Sequence, residues 1–337
     1  MPISFRLFNL PGNAQLNVIR SMEVVHLASL SFCSLKAKKL IKSLKLTAVI
    51  RPGFHNKDDT LIMVESPNFS IEYSSDEDHT IESDNLCNYR PTSIRIRNFR
   101  KDHDTEDIEW VPDRPTLFSD LVEHFLEIFH QREISLYLLA SRFTEDSIIK
   151  TLGMYNMRHL DCYDSPLFDE LIKRLPPPKQ LDLFGSTERD EQSWKPKVYI
   201  QNYDSFSACG SATLSFNDML SMNAKIVEVG SDDINEKHLN LFVKLWIKGS
   251  LSRLEYISVI WQNRGARLFD KVKILKGIKH TENPEDEERI FTRSSEKRDF
   301  DCTEICKGGF DIRGRNGKKA TIVLASDYAI FEMFVWP

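Results

Sequence analysis

No stretch of this 337-residue sequence approaches the ~20 consecutive apolar residues that a membrane span needs. The opening Met1-Pro2-Ile3-Ser4-Phe5-Arg6 also lacks a basic start followed by a sustained apolar run, so it does not read as a secretory signal. Charge of one sign is scarce too. The 45 Lys and Arg stand against 50 Asp and Glu, and a net charge of -5 gives no global electrostatic reason to expect nucleic acid or an anionic membrane as the main partner. The six cysteines, Cys33, Cys87, Cys162, Cys209, Cys302 and Cys306, are too scattered in too long a chain to frame a disulfide-bonded secreted domain, and reduced core thiols are expected. A cytosolic or nuclear location follows. A Gly-rich phosphate loop, a G-x-S-x-G elbow and an H-E-x-x-H helix are all absent, which leaves an enzymatic role without support and no cofactor to expect.

What is present is an ordinary globular composition, 41% hydrophobic and 28% charged, in a length that suits one small module plus one large domain, or two domains of ordinary size. Val18, Ile19 and Met22, then Leu27 and Leu30, then Ala37, Leu40, Ile41 and Leu44 fall at helical spacing on three short successive segments, opened by Leu10-Pro11. A unit of roughly 40 residues is near the lower limit for burying enough apolar surface to fold unaided, so its remaining apolar face calls for a partner.

From Leu46 to about Thr116 the chain changes to short β-type runs: Ala48 to Ile50, Leu61 to Val64, Phe69 to Tyr73 and Ser93 to Arg97. The acidic insertions Ser74 to His79 and Arg100 to Asp107 read as surface loops. Phe118, Leu121, Val122, Phe125, Leu126 and Phe129 then recur as an amphipathic helical stripe. Strands and helices alternate after it: Ile134 to Leu139, a helix near Glu145 to Leu152, His159 to Cys162, Leu167 to Leu175 stopped by Pro176-Pro177-Pro178, and Gln180 to Phe184. Between Lys225 and Trp261 lies the clearest unit. Ile226 to Val229 is a strand, and Asp233 and Glu236 have capping-box spacing. Leu239, Phe242, Val243, Trp246 and Ile247 form a helical face, Gly249 is placed as a C-cap, and Leu254 to Trp261 returns as a strand buried on both faces. Asn316-Gly317 predicts a hairpin and Phe331 to Trp336 a closing strand. The repeated units suggest an irregular leucine-rich-repeat-like arrangement, with a compact α+β sandwich as the other arrangement.

Several candidate sites yield to simpler readings. Cys302, Cys306 and His280 lack the second ligand pair of a structural zinc site. Asp76-Glu77-Asp78-His79 and Asp102-His103-Asp104 have no apolar wall to perturb their pKa values. Ser147-Ile148-Ile149-Lys150 spells S-x-x-K without its companion motifs. Asn68-Phe69-Ser70 is a sequon that, without a secretory signal, does not meet the glycosylation machinery. Lys36, Lys38, Lys39, Lys42 and Lys45 read as the solvated face of a short helix rather than a phosphate-binding patch. No metal ligand is assigned.

Leu10-Pro11, Ala14, Val18-Ile19, Met22, Leu27, Leu30-Ser31, Ser34 and Lys38 to Leu44 resemble the F-box in order and spacing, with Val24 and His26 where many relatives carry proline and an acidic residue. Asn240 to Ser250, Arg253 to Ser258 and Phe331 to Trp336 look like the type-2 F-box-associated domain. The resemblance implies an α+β chain: a three-helix F-box over 3–46, then a substrate-recognition domain over 47–337, β-rich to 115 and built of strand–helix units from 116. It implies docking on a Skp-type adaptor, and through it on a cullin, by Leu7, Leu10, Pro11, Val18, Ile19, Met22, Leu27 and Leu30. An unknown target protein would be held by the remainder, in a non-catalytic subunit of a ubiquitin ligase.

Overall fold

The computed structural model describes residues 7–54, 60–66, 69–75, 85–91, 94–99, 105–110, 116–139, 141–163, 165, 167–184, 198–209, 214–261, 268–293, 303–325 and 329–337. The chain is α+β, a helical opening followed by a larger region rich in strands. It divides into two compact units, Met1–Ser135 with Ser141–Asn156, and Leu136–Ala140 with Met157–Pro337.

The first unit opens with three helices where the apolar spacing predicts them: α1 (Gly12–Arg20), α2 (Val24–Cys33) and α3 (Leu35–Lys42). Gln15 Nε2 donates to the Leu10 carbonyl (2.7 Å) and the Phe8 carbonyl (3.3 Å), which ties the Leu-Pro opening to the first turn. Ser34 ends α2 in extended backbone and starts α3, its Oγ accepting from the Ala37 N–H at 3.1 Å. Ile19, Leu27 and Ile41 are the module's own core, with Leu7, Met22, Leu30, Leu40, Leu44 and Leu46 packed around them.

Strands β1 (Val49–Phe54), β2 (Thr60–Ser66), β3 (Phe69–Ser75), β4 (Ile94–Phe99) and β5 (Thr105–Trp110) then form an antiparallel meander, each paired to the next. Ser74, Ser75 and Thr105 to Asp107 are strand, not loop. Cross-strand pairing supplies hydrogen bonds whatever the side-chain polarity, so acidic composition alone misplaced those residues. Helix α4 (Phe118–Ile128) buries its stripe of Phe118, Leu121, Val122, Phe125 and Leu126 in this unit. Phe125 meets Tyr73 of β3 (ring centroids 4.5 Å) and Phe32 of α2 (5.6 Å), so one residue seals both the sheet and the helical module.

After β6 (Glu133–Leu138) and α5 (Glu145–Leu152), the second unit carries five parallel strands in chain order: β7 (Asn156–Tyr163), β8 (Gln180–Phe184), β9 (Ser205–Cys209), β10 (Ile226–Gly230) and β11 (Tyr256–Ile260). Helices cross between them, including α6 (Phe168–Arg174), Phe216–Ser221 and Glu236–Ile247. The expected strand–helix alternation is present, whereas a leucine-rich repeat as such is not confirmed. The cap of Glu236–Ile247 differs from the expected Asp233–Glu236 pair. Asn235 Oδ1 accepts from the Lys237 and His238 N–H groups, and the His238 imidazole turns back to the Asn235 N–H. Gly249 ends that helix with φ +93°, a backbone state that favours glycine.

The chain closes with β12 (Thr281–Glu282), β13 (Glu288–Thr292), β14 (Thr303–Lys307), β15 (Phe310–Arg313), β16 (Lys319–Leu324) and β17 (Ile330–Val335). β17 lies between β11 and β16, antiparallel to both. β15 and β16 form the hairpin expected around Asn316-Gly317, with Gly317 at φ +85°. Among the described cysteines all are free thiols; Cys33 is exposed and not in the core, because it ends α2 on the outside. Cys302, Asp76 to His79 and Asp102 to Asp104 lie outside the described residues.

Candidate functional site

The eight residues expected to dock a partner divide by burial. Pro11 is exposed, and Leu7, Leu10, Val18, Met22 and Leu30 are half-buried, leaving part of each side chain open along α1 and α2. Ile19 and Leu27 are closed within the three-helix core, at 0% and 3% exposure. Leu35, not singled out in the sequence, is 78% exposed at the start of α3.

Three lysines of the basic cluster are engaged within the chain. Lys38 and Lys42 both pair with Glu127 of α4, at 2.5 and 3.1 Å, and Lys36 lies over the Phe8 ring at 5.0 Å. Hydrogen bonds from the two lysines hold the Glu127 carboxyl below its ordinary range. His124, one turn before Glu127, stacks on Phe32 with centroids 3.9 Å apart, and its Nε2 lies 2.6 Å from Ser31 Oγ. The Ser31 hydroxyl gives its single proton to the Ala28 carbonyl (2.5 Å), so His124 Nε2 carries the hydrogen and donates. Burial first, and the Lys38 ammonium second, push His124 down to about 4.

The second unit presents a different site. Successive residues of a strand face opposite sides of a sheet, and paired residues of neighbouring strands share a side. One side carries Leu160, Leu181, Phe206, Val227, Ile257 and Met333 in register, all buried and apolar. The adjacent row on the other side is polar: Asp161, Asp182, Ser207, Glu228, Ser258 and Glu332. Asp161, Asp182, Ser207 and Ser258 of that row are nonetheless buried.

At one end of the row His159, two residues before Asp161 on β7, places Nε2 3.2 Å from Asp161 Oδ1 and 3.3 Å from Asp182 Oδ2. At the other end the β13–β14 hairpin packs Phe291 and Cys306 with Ile226, Tyr256 and Phe334. There Arg293 donates to Glu228 (2.9 Å) and Glu304 and stacks over Tyr256, whose Oη donates to Glu332 Oε1 at 2.6 Å. Burial raises the Cys306 thiol, which marks it as an unreactive core group. The outer side of the hairpin exposes the cross-strand pair Ile290 and Ile305.

The other sequence candidates resolve locally. His280 Nδ1 lies 2.9 Å from the Ile278 carbonyl, and the Ser147 hydroxyl donates to the Thr144 carbonyl at 2.9 Å. Sequence reasoning missed the histidine–carboxylate cluster, because it exists only once β7 and β8 are set in register.

Residues 7–48 match the family model described as the F-box domain, and residues 196–259 match the one described as F-box associated. No curated protein and no solved structure matches the chain. The two matches fall on the three-helix opening and on the β9 to β11 segment, and they support a protein-interaction role of the kind played by substrate adaptors. Among the described residues no helix is long and apolar enough to cross a membrane.

Proposed function

We propose that this chain is a substrate-recognition adaptor of an SCF-type ubiquitin ligase, acting in the cytosol or nucleus. It docks on a Skp-type adaptor, and through it on a cullin, by its F-box. The observation that carries the reading is the F-box match over 7–48 coinciding with an apolar edge that the chain leaves half open. Leu7, Leu10, Pro11, Val18, Met22 and Leu30 form the docking surface, and Ile19 and Leu27 hold it from beneath. Stable docking of this kind buries roughly 1,200–2,000 Å² in total. The rest of the chain holds a target protein, and the benefit is a raised effective concentration of that target at chemistry performed by other subunits. The chain itself is non-catalytic in this reading.

Co-purification of the full chain with a Skp-type adaptor is expected, and Leu10→Ala with Pro11→Ala should weaken it. Unchanged binding in that double variant sinks the assigned surface. A scaffold that binds the adaptor without promoting turnover is the other reading, and target half-lives that ignore loss of this protein would favour it. Contact with nucleic acid through Lys36 to Lys45 is disfavoured, since Lys38 and Lys42 are engaged by Glu127 and Lys36 by Phe8.

A further inference from the structure

His159, Asp161 and Asp182 bring one nitrogen and two carboxylate oxygens within 4.8 Å of one another in the interior of the second unit. Their side chains are 4%, 3% and 1% exposed. The histidine is the informative member. Its Nε2 is buried and forms no hydrogen bond, although it lies 3.2 and 3.3 Å from a carboxylate oxygen on either strand. A ring nitrogen aimed between two oxygens without hydrogen-bond alignment is placed as a lone-pair donor to a shared centre. The separations agree with that. Tetrahedral arms of about 2.0–2.1 Å put neighbouring donors roughly 3.3–3.4 Å apart.

We propose that these three side chains bind a divalent transition-metal ion of the zinc class. The donor set supports that choice. Imidazole disfavours magnesium and calcium, and two carboxylates disfavour a soft monovalent ion such as copper(I). Two carboxylates on adjacent buried strands repel one another, and a dication between them turns the repulsion into a bond across the β7–β8 ladder. The ion is a staple: it joins two neighbouring strands across the β7–β8 crossover, and the three donors leave a fourth position for water.

The test uses the full chain made without a polyhistidine tag. Elemental analysis after dialysis should find about one equivalent of zinc or a related ion per chain. A chelator should lower the thermal midpoint by several degrees, zinc should restore it, and cobalt(II) added to the stripped protein should give the intense visible bands of a tetrahedral site. Asp161→Asn and Asp182→Asn should each weaken cobalt binding by at least roughly tenfold, more than loss of an outer-shell partner costs. Should those variants fail to fold, the cobalt spectrum of the unaltered chain decides alone. A protein that carries no metal, gives no cobalt bands and melts identically with chelator or zinc overturns the proposal, and the trio is then an ordinary buried histidine–carboxylate contact.

Discussion

Two histidines, one in each unit, half-buried His124 and buried His159, have opposite surroundings. His124 on α4 has a lysine ammonium nearby, an aromatic ring stacked on its face and a serine hydroxyl to receive its hydrogen. His159 on β7 has a carboxylate on either side. The first environment selects the neutral, hydrogen-donating ring, and the second sets the ring nitrogen between two carboxylate oxygens, a geometry that suits a shared metal ion. Burial is the larger cause at His124, with the Lys38 ammonium adding to it; what separates the two rings is the group met at Nε2, a hydroxyl in one and two carboxylates in the other. The difference follows from architecture. A helix resting on an antiparallel meander can keep its charged edge at the surface, as Glu127 does, whereas a parallel strand buried on both faces gives a polar side chain such as Asp182 no route to water.

The largest way to disturb the first environment is Phe125→Ala. Phe125 is fully buried, edge-on to His124 and in contact with both Phe32 and Tyr73, and its removal should cost about 3–5 kcal/mol in urea unfolding. A loss below about 1 kcal/mol would show that the wall behind His124 is not well packed.

Acid comes next. His124 titrates lower when folded, so the unfolded chain binds more protons between about pH 6.5 and about 4. The stability it contributes is present above its unfolded value and lost as pH falls through that window, on the order of 2–3 kcal/mol in all. Glu127, also held low, adds to the fall in the carboxylate range. Urea midpoints measured from pH 7 to pH 4 should decline, and His124→Asn should flatten the upper part of that decline. An unchanged slope in the variant would break the contrast.

Much of the fold could be read in the residues, and the failures are instructive. Helix Glu145–Leu152 and strand Gln180–Phe184 match their expected bounds, because a Thr144 cap and a proline run bracket them with local signals. The strands Ser205–Cys209, Glu288–Thr292 and Thr303–Lys307 escape a reading of the sequence, since Ser-Phe-Ser-Ala-Cys has no β-branched residue and each of the other two carries two charges in five residues. Their burial and pairing are set by neighbours distant in the chain. Similarly, Leu10-Pro11 and its apolar followers were visible as a module, but nothing local showed that Ile19 and Leu27 turn inward while Leu35 turns out.

Ser31→Ala sharpens the contrast on a smaller scale. It leaves the His124 Nε2 hydrogen without its 2.6 Å acceptor, at a cost of roughly 1–3 kcal/mol by calorimetry. Smallest of all, Ile290→Ser and Ile305→Ser should each move stability by within about 0.5 kcal/mol, for both side chains stand out from the hairpin at 74% and 60% exposure. A larger loss in either would mean that the outer side of the hairpin is covered in solution.

Glu127 grips α3 at two points, Lys38 and Lys42, one helical turn apart. A single ion pair would act as a pivot about which the helix could roll, but two along the same edge resist rolling and fix the helix's heading on α4. Such a brace is electrostatic and close to water, so strong brine should free that rotation well before any helix melts.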